Sequence, residues 1–594
     1  MRKTMSFKKY LIYAAYSFIS GFILASGITL YTAAYTGSNI FYIQSAGEIK
    51  TVFLVILWMI FSLMLFLVFK LRKSVYRCSI PLSLFIFSML SLWNVKSQYP
   101  YFYIVLAATV IGATLVYKEI FHDRRINFLK GKGLYITVLI MTTAMTSILT
   151  MGNIVRMYTF NSSTFDFGLF AQMYESMATD FSQNTTLERN ELLSHFAVHF
   201  SPIYYLLLPF YMIFRRPEFL FAAQAAVCFS GIIPVLLLCK RWKYREGVTL
   251  LISAVFLCYP AFTGACFYDF HENVFLVPLI LWLLYFTEKN SNIGMCVSAL
   301  LLLCVKEDAG LYIIFIALYA LFNKKIRKFN AVCLLLTGVF GFISVTAFIN
   351  AYGEGIKVSR YDIFLYGNQS SLTDVVINVI KNPAFFFSKL LNENKLVFLL
   401  QMFLPLLFIP MRSRRLSDWL LIAPLILINL ATDYTYQSDI GYQYVFGTGA
   451  ILIFLFVKNL RYSKTKTKVA AAAFMASAIC LVGHNMPKYR YIDRLAGNGG
   501  DYYAAARQVL SEIPRDKTIY ASTYLTPFLF DCKEVYMYPP IYNKQLTGLD
   551  YVILDSRGAD ETEFSTLIRD FEDDGYEIVN NQTFITVLKL KENK

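Results

Sequence analysis

The sequence predicts an all-α polytopic membrane domain of about fifteen transmembrane helices, followed by a small extracytoplasmic α/β domain at the C-terminus. Three observations carry this. Of 594 residues, 57% are hydrophobic and only 16% charged, against roughly 45–50% and 25% for a soluble chain. Apolar runs of spanning length recur as far as residue 484. Beyond residue 485 the chain turns polar, and helical spacing alternates with strand spacing.

The elements follow in order. "MRKTMSFKKYLIYAAYSFISGFILASG" resembles a signal peptide, but its apolar stretch is longer than a usual signal core and further spans follow. It reads as an uncleaved first helix. Apolar runs then cover 10–31, 51–69, 78–93, 101–117 and 134–153. Others cover 218–239, 247–266, 273–287, 293–305, 309–322, 331–350, 396–411, 416–431, 445–458 and 468–484. With the N-terminus in the cytoplasm and sides alternating, the basic loops "KLRKSVYR", "KEIFHDRRINFLKGKG", "KRWKYRE", "NKKIRK", "MRSRR" and "KNLRYSKTKTK" all fall inside, as positive charge prefers. The predicted location is therefore the plasma membrane, with the C-terminal domain outside.

One segment breaks the alternation. "SPIYYLLLPFYMIF", 201–214, is apolar but short and holds Pro202 and Pro209, so it reads as an interfacial or re-entrant helix. Long outer loops fall at 156–200 and 351–395. In the tail, "DYYAAARQVLSEIP" and "ETEFSTLIRDFEDDG" have helical spacing, the second ended by Gly575. "KTIYAST", "EVYMYP", "YVILDS" and "YEIVNNQTFITVLKL" read as strands. The expected division is 1–130 as additional N-terminal helices, 131–484 as the membrane core and 485–594 as the α/β domain.

A net charge of +16 could suggest nucleic acid, but the Lys and Arg sit in short clusters between spans and no continuous basic face is present. The ten cysteines are scattered, mostly inside apolar runs. They show neither zinc spacing nor a disulfide framework.

Polar residues beside the spans gather on the predicted outer side. Asp166 lies in "NSSTFDFGLFAQ", His195 and His199 in "HFAVHF", Asp269, His271 and Glu272 in "FYDFHEN", and Lys306, Glu307 and Asp308 in "CVKEDAG". Ionisable groups near hydrocarbon are costly, so they line a cavity or pair with one another. Acids, imidazoles and an ammonium together suit a substrate with a phosphate and hydroxyls. Blander readings stand beside this one. Asp166 also suits the N-cap of the helix beginning "FGLFAQMYESM". Lys306, Glu307 and Asp308 also suit a self-neutralising turn, and the histidine pair suits packing at the interface.

The ordered motifs "FDFGLFAQ", "HFAVHFSPIYYLLLPFYMIF", "PEFLFAAQAAV", "FHENVFLVPLILW" and "VKEDAGLYI" resemble the predicted membrane proteins grouped as domain of unknown function 2079. That family in turn is similar to integral-membrane glycosyltransferases of the GT-C type, which use polyprenyl-phosphate-linked sugars outside the membrane. The resemblance implies a GT-C-like core and a sugar transfer to a cell-envelope glycan, lipid or protein acceptor. It implies Asp166 as the catalytic or metal-associated acid and Asp269 as a second acid. By the same resemblance Lys306 would meet the lipid phosphate; the shared outer position of the polar residues adds His271 to the catalytic group and Glu272, His199, Glu307 and Asp308 to the substrate-binding residues. A divalent cation, Mg or Mn, held by Asp166 and Asp269 is left open, because no DxD or ExD pair stands at Asp166. Two other classes compete: a transporter or flippase of lipid-linked glycans, and a non-catalytic envelope protein.

Overall fold

The computed structural model describes residues 7–35, 51–71, 75–92, 131–353, 358–390, 392–485, 488, 490–496, 499–540 and 548–591. Among them, eight helical stretches are long and apolar enough to cross a membrane: Lys9–Thr29, Thr51–Leu71, Lys132–Tyr158, Glu218–Arg241, Glu246–Cys266, Lys328–Tyr352, Gln443–Leu460 and Lys466–Asn485. Three shorter apolar helices accompany them: Asn292–Leu303, Ala309–Phe322 and Leu416–Leu430.

Several of the apolar segments are not single unbroken helices. Run 101–117 lies outside the described residues. Run 396–411 is helical only over Glu393–Phe403, then breaks into tight turns where Leu407 and Phe408 are left-handed. Run 416–431 is a five-residue helix, Leu416–Leu420, and a wider-turned stretch, Leu425–Leu430. In the span Glu246–Cys266, Tyr259 is extended at ψ 118° just before Pro260. A proline ring disfavours helical backbone in the residue before it. Segment 201–214 forms two short pieces, Pro202–Leu206 and Leu208–Ile213, with Phe210, Ile213 and Phe214 exposed. At about 1.5 Å per residue neither piece can cross a bilayer.

Helix Phe446–Leu460 is the hub of the bundle, for all its residues are buried. Gly447 lets it approach its neighbour, since a Cβ there would collide with the Tyr312 ring. Near its far end Lys458 is buried, with Nζ 2.6 Å from Asp418 Oδ1 and donating to Tyr319 Oη at 2.7 Å. Tyr319 Oη in turn donates to Glu288.

After residue 499 the chain forms a five-stranded sheet in the order β4-β3-β5-β7-β6: β3 is Thr518–Ser522, β4 Glu534–Tyr538, β5 Tyr551–Asp555, β6 Tyr576–Gln582 and β7 Ile585–Leu590. A two-residue ribbon, β1 Asn184–Thr185 with β2 Leu193–Ser194, precedes it in the chain. Strands β3, β4 and β5 run parallel, while β7 is antiparallel to both β5 and β6. The expected last strand is thus a hairpin, turned at left-handed Thr583. Side chains alternate between faces. Ile519, Ala521, Val535, Met537 and Ile553 join the apolar core shared with the membrane helices. Tyr520, Val552, Leu554 and Leu588 form a second core, covered by helix Glu561–Asp573.

An unpaired edge strand leaves backbone groups unsatisfied, and here loop side chains satisfy edge strand β4. Asn190 donates to Met537 O at 2.9 Å and accepts from Met537 N at 2.7 Å. Thr186 makes the same two-way contact with Val535. The loop preceding β2 is thereby fixed to the sheet.

Removing one partner of a buried ion pair strands the other charge. Lys458→Met is expected to destabilise the protein by about 3–5 kcal/mol, and the double variant Lys458→Met/Asp418→Leu by less. Thermal unfolding in detergent checks the order of the two.

Candidate functional site

The chain leaves helix Lys132–Tyr158 through a tight exit. Phe160 is left-handed at φ 55°, and Asn161 N donates to Arg156 O at 3.0 Å. The next helix, Leu169–Asp180, has Gly168 at its N-cap and no side-chain cap. Asp166 therefore does not cap it. Its carboxylate turns instead toward segment 267–275. Tyr268 Oη donates to Asp166 Oδ2 at 3.2 Å, and His271 Nε2 lies 2.6 Å from the same oxygen as an ion pair.

That segment is irregular backbone at a helix end, where carbonyls and amides lack helical partners. Side chains from two spans supply them. Asn153 donates to Cys266 O at 2.7 Å. Gln224 donates to Tyr268 O at 3.1 Å and accepts from His271 N at 3.0 Å. The segment is held on both sides, so His271 and Glu272 have fixed positions.

Glu272, 0% exposed, takes the next place. His271 Nδ1 lies 3.5 Å from Glu272 Oε2, and Lys306 Nζ lies 2.6 Å from Glu272 Oε1. Tyr204 Oη also donates to Glu272, and Lys306 donates further to Asn273 Oδ1 at 3.4 Å. Charges thus alternate along Asp166, His271, Glu272 and Lys306. Only the first member is open: its side chain is 28% exposed, against 4% for Lys306. Lys306 is spent on the buried glutamate, and Lys306, Glu307 and Asp308 do not neutralise one another in their own turn. Glu307 pairs with His199 at 3.0 Å, and the Oδ1 atom of Asp308 has no hydrogen-bond partner. Asp269 is buried against Arg156, and His195 against Glu188 at 3.3 Å.

Electrostatics follow from these pairings. Burial opposes the charged form of Asp166, but the His271 charge prevails and holds the carboxyl below its usual range. Burial likewise opposes the His271 imidazolium. Asp166 and Glu272 outweigh it, and the ring is raised to about 9. Burial also works against the Glu272 carboxylate, yet Lys306 first and His271 next keep it well below the ordinary value. Burial prevails at Asp269, pushing it up to about 6 against Arg156, and at Asp308, also to about 6, with Glu307 adding to it.

A divalent cation needs several free oxygen donors. Asp166 and Asp269 each already face a cation. Among the described residues no group of three or more His, Cys, Asp or Glu is arranged to hold a metal ion. This donor set does not fit a divalent cation.

The C-terminal sheet grips the Asp166 loop directly. Thr164 N donates to Thr523 Oγ1, and Thr164 Oγ1 donates to Thr523 O, both at 3.2 Å. Arg557, paired with Asp555, donates to Thr159 O at 3.2 Å and Phe160 O at 3.0 Å. Phe160 packs on Phe528 with centroids 4.5 Å apart. Gly168 is required here, since a Cβ would come within 2.5 Å of Thr526 Oγ1.

Arg156, Tyr204, Gln224 and Tyr268 also belong to this site, although the sequence pattern does not single them out. A lone arginine near the end of an apolar helix, ten residues before Asp166, was the available signal for the first. Tyr268 stands next to Asp269. Tyr204, in "SPIYYLLLPFYMIF", and Gln224, in "PEFLFAAQAAV", carry no local signal of a site role. Arg360 approaches from another loop, with its guanidinium 5.2 Å from the Tyr434 ring and 5.1 Å from that of Tyr444.

A family model described as a predicted membrane protein, DUF2079, matches residues 156–583. No curated protein matches the sequence. Among solved structures, the chain is similar to ArnT from Cupriavidus metallidurans bound to undecaprenyl phosphate. That similarity has 12% identity and a TM-score of 0.46, and covers 75% of this chain and 97% of that one. It is also similar to ArnT from the same organism in the apo state, with 12% identity, a TM-score of 0.42, and coverage of 71% and 93%.

A histidine whose pKa is raised by folding stabilises the protein fully below its unfolded pKa, and that stability is lost as pH rises through the folded value. The His271 contribution should therefore be complete near pH 6 and disappear as pH rises through about 9. The unfolding temperature in detergent is expected to fall across that window. His271→Gln should start lower and lose this component of the fall.

Proposed function

Given that the chain belongs to the DUF2079 family of predicted membrane proteins, we propose that it is an integral-membrane glycosyltransferase. It moves a sugar from a polyprenyl-phosphate donor to a cell-envelope acceptor on the outer face of the membrane. One observation carries this reading: a half-open carboxylate, Asp166, ends a buried chain of alternating charges at the end of the helical bundle.

In the proposed reaction an acceptor hydroxyl approaches Asp166. The carboxylate is kept ionised by His271, so it accepts the hydroxyl hydrogen bond and takes the proton as the acceptor oxygen bonds to the sugar C1. The C1–O bond to the lipid phosphate breaks, the polyprenyl phosphate leaves with that electron pair, and the anomeric centre inverts. His271, Glu272 and Lys306 act through Asp166 and are positioning residues. Their fixed charges need no rearrangement during reaction, which is how preorganised sites lower barriers. Asp269 fixes Arg156 beside Tyr268 and so steadies the same segment. Arg360 has no carboxylate partner within 4 Å among the described residues and supplies positive charge for the leaving phosphate.

The test is turnover by the purified protein on a panel of undecaprenyl-phosphate-linked sugars, with release of undecaprenyl phosphate measured. Asp166→Asn keeps the shape and removes the base, so a loss of about 10²–10⁴-fold is expected. Wild-type protein inert toward every donor, or an Asp166→Asn variant as fast as wild type, would count against transfer chemistry.

A further inference from the structure

The stretch "ATDYTYQSDIGYQY", 431–444, holds four tyrosines in fourteen residues. It has little regular structure, only the short turns Thr435–Ser438 and Gln443–Val445. Side chains nonetheless fix its backbone. The buried Asn429 amide donates to Gln437 O at 2.7 Å and Tyr444 O at 3.1 Å. Thr432 Oγ1 donates to Arg360 O at 2.9 Å and accepts from Tyr434 N at 3.1 Å. Asp439 Oδ1 accepts from Gly441 N at 2.7 Å. The loop is prebuilt, so its rings are held at low entropic cost.

The rings form a continuous series. Tyr268, bonded to Asp166, meets Tyr442 with centroids 4.7 Å apart. Tyr442 meets Tyr436 at 4.6 Å, and Tyr436 meets Tyr434 at 5.1 Å. Tyr434 meets the buried Tyr444 at 5.9 Å, and Arg360 lies against both. The series therefore runs from the proposed base to the Arg360 guanidinium, which donates to Tyr444 Oη at 3.4 Å. In its middle, Tyr434 is 39% and Tyr436 43% exposed, with planes inclined at 67°. They form an open aromatic corner.

Exposed aromatic side chains on a rigid backbone mark recognition surfaces. A tyrosine ring has an electron-rich face and a polar rim. The C–H face of a pyranose carries partial positive charge and packs on such a face, while its hydroxyls bond to the rim. Tyrosines also serve as anchors at the membrane surface. That role asks only for rings at headgroup depth, not for a series leading to Asp166 with an arginine against its far end.

We propose that Tyr434 and Tyr436, backed by Tyr442, Tyr444 and Arg360, form a pyranose-stacking subsite beside Asp166. This rests on the transferase reading and assigns it the groups that seat the transferred sugar.

Saturation-transfer NMR on the full-length protein in detergent tests it without turnover, using methyl glycosides of glucose, galactose, mannose, arabinose and N-acetylglucosamine as probes. At least one is expected to receive saturation from wild-type protein, with the signal strongest on its ring C–H protons. Tyr434→Ala/Tyr436→Ala should weaken that binding about tenfold, as loss of two aromatic contacts implies. Tyr434→Phe/Tyr436→Phe, which keeps the ring faces and loses only the hydroxyls, should weaken it less than the alanine variant does. The exposure of both rings makes the double variants mild for folding, which matching elution profiles and unfolding temperatures check. No signal from any glycoside, or a signal that the alanine variant retains, overturns the subsite and leaves the tyrosines as membrane-surface anchors. Because glycoside binding is read here without turnover, and turnover is read separately, failure of the subsite and failure of the transferase reading are distinguishable.

Discussion

The structure around residue 166 depends on one constraint: a charge taken out of water must be matched by an opposite charge nearby. Glu272 is buried at the centre and makes the matching explicit. It is stable as an anion because Lys306 and His271 flank it and Tyr204 donates to it. His271 in turn can stay protonated because Glu272 and Asp166 face its two nitrogens. The pairing runs through three segments, 159–168, 267–275 and 303–309, and ties them into one unit. Neutralising any interior member would leave its neighbours with an unmatched buried charge.

A second constraint acts from outside the helices. The sheet domain does not hang from the last helix. Its inner face shares the apolar core, its Thr523, Thr526 and Arg557 hold the Asp166 loop, and its edge strand is closed by Asn190 and Thr186. The loop that presents the half-open carboxylate is therefore gripped from both sides. The 266–275 segment supplies the charge, and the sheet fixes the backbone. Sub-ångström placement of a reacting group needs this kind of support.

Much of the fold was legible because it depends on local pattern. Apolar runs marked the spans, and charged loops marked their ends. Period-two stretches marked β3, β4, β5 and the final hairpin, and Gly575 ended its helix with a positive φ of 94°. The helix count was less legible. A run such as 396–411 is as apolar as a span, yet turns at Leu407 and Phe408 because surrounding helices bury and satisfy that irregular backbone. At the site, the residue types of Asp166, His271, Glu272 and Lys306 were visible. Tyr204 and Gln224 were not, since nothing local marks a tyrosine or glutamine as the partner of a charge far away in the chain, and Arg156 was marked only as a lone arginine near the end of an apolar helix.

The sequence by itself determined the solvent of this protein, the approximate positions of its helices and strands, and the short list of ionisable groups that could not be left facing lipid. Only the tertiary structure decided which of them answers which. Asp269, placed next to the site by sequence, is committed to Arg156, while Asp166 faces His271, and Lys306 is used on Glu272. The desolvation cost of a buried charge is offset only by a partner in close, well-oriented contact. Partners about a hundred residues apart are therefore chosen by packing of helices against one another, which no local pattern in the chain records.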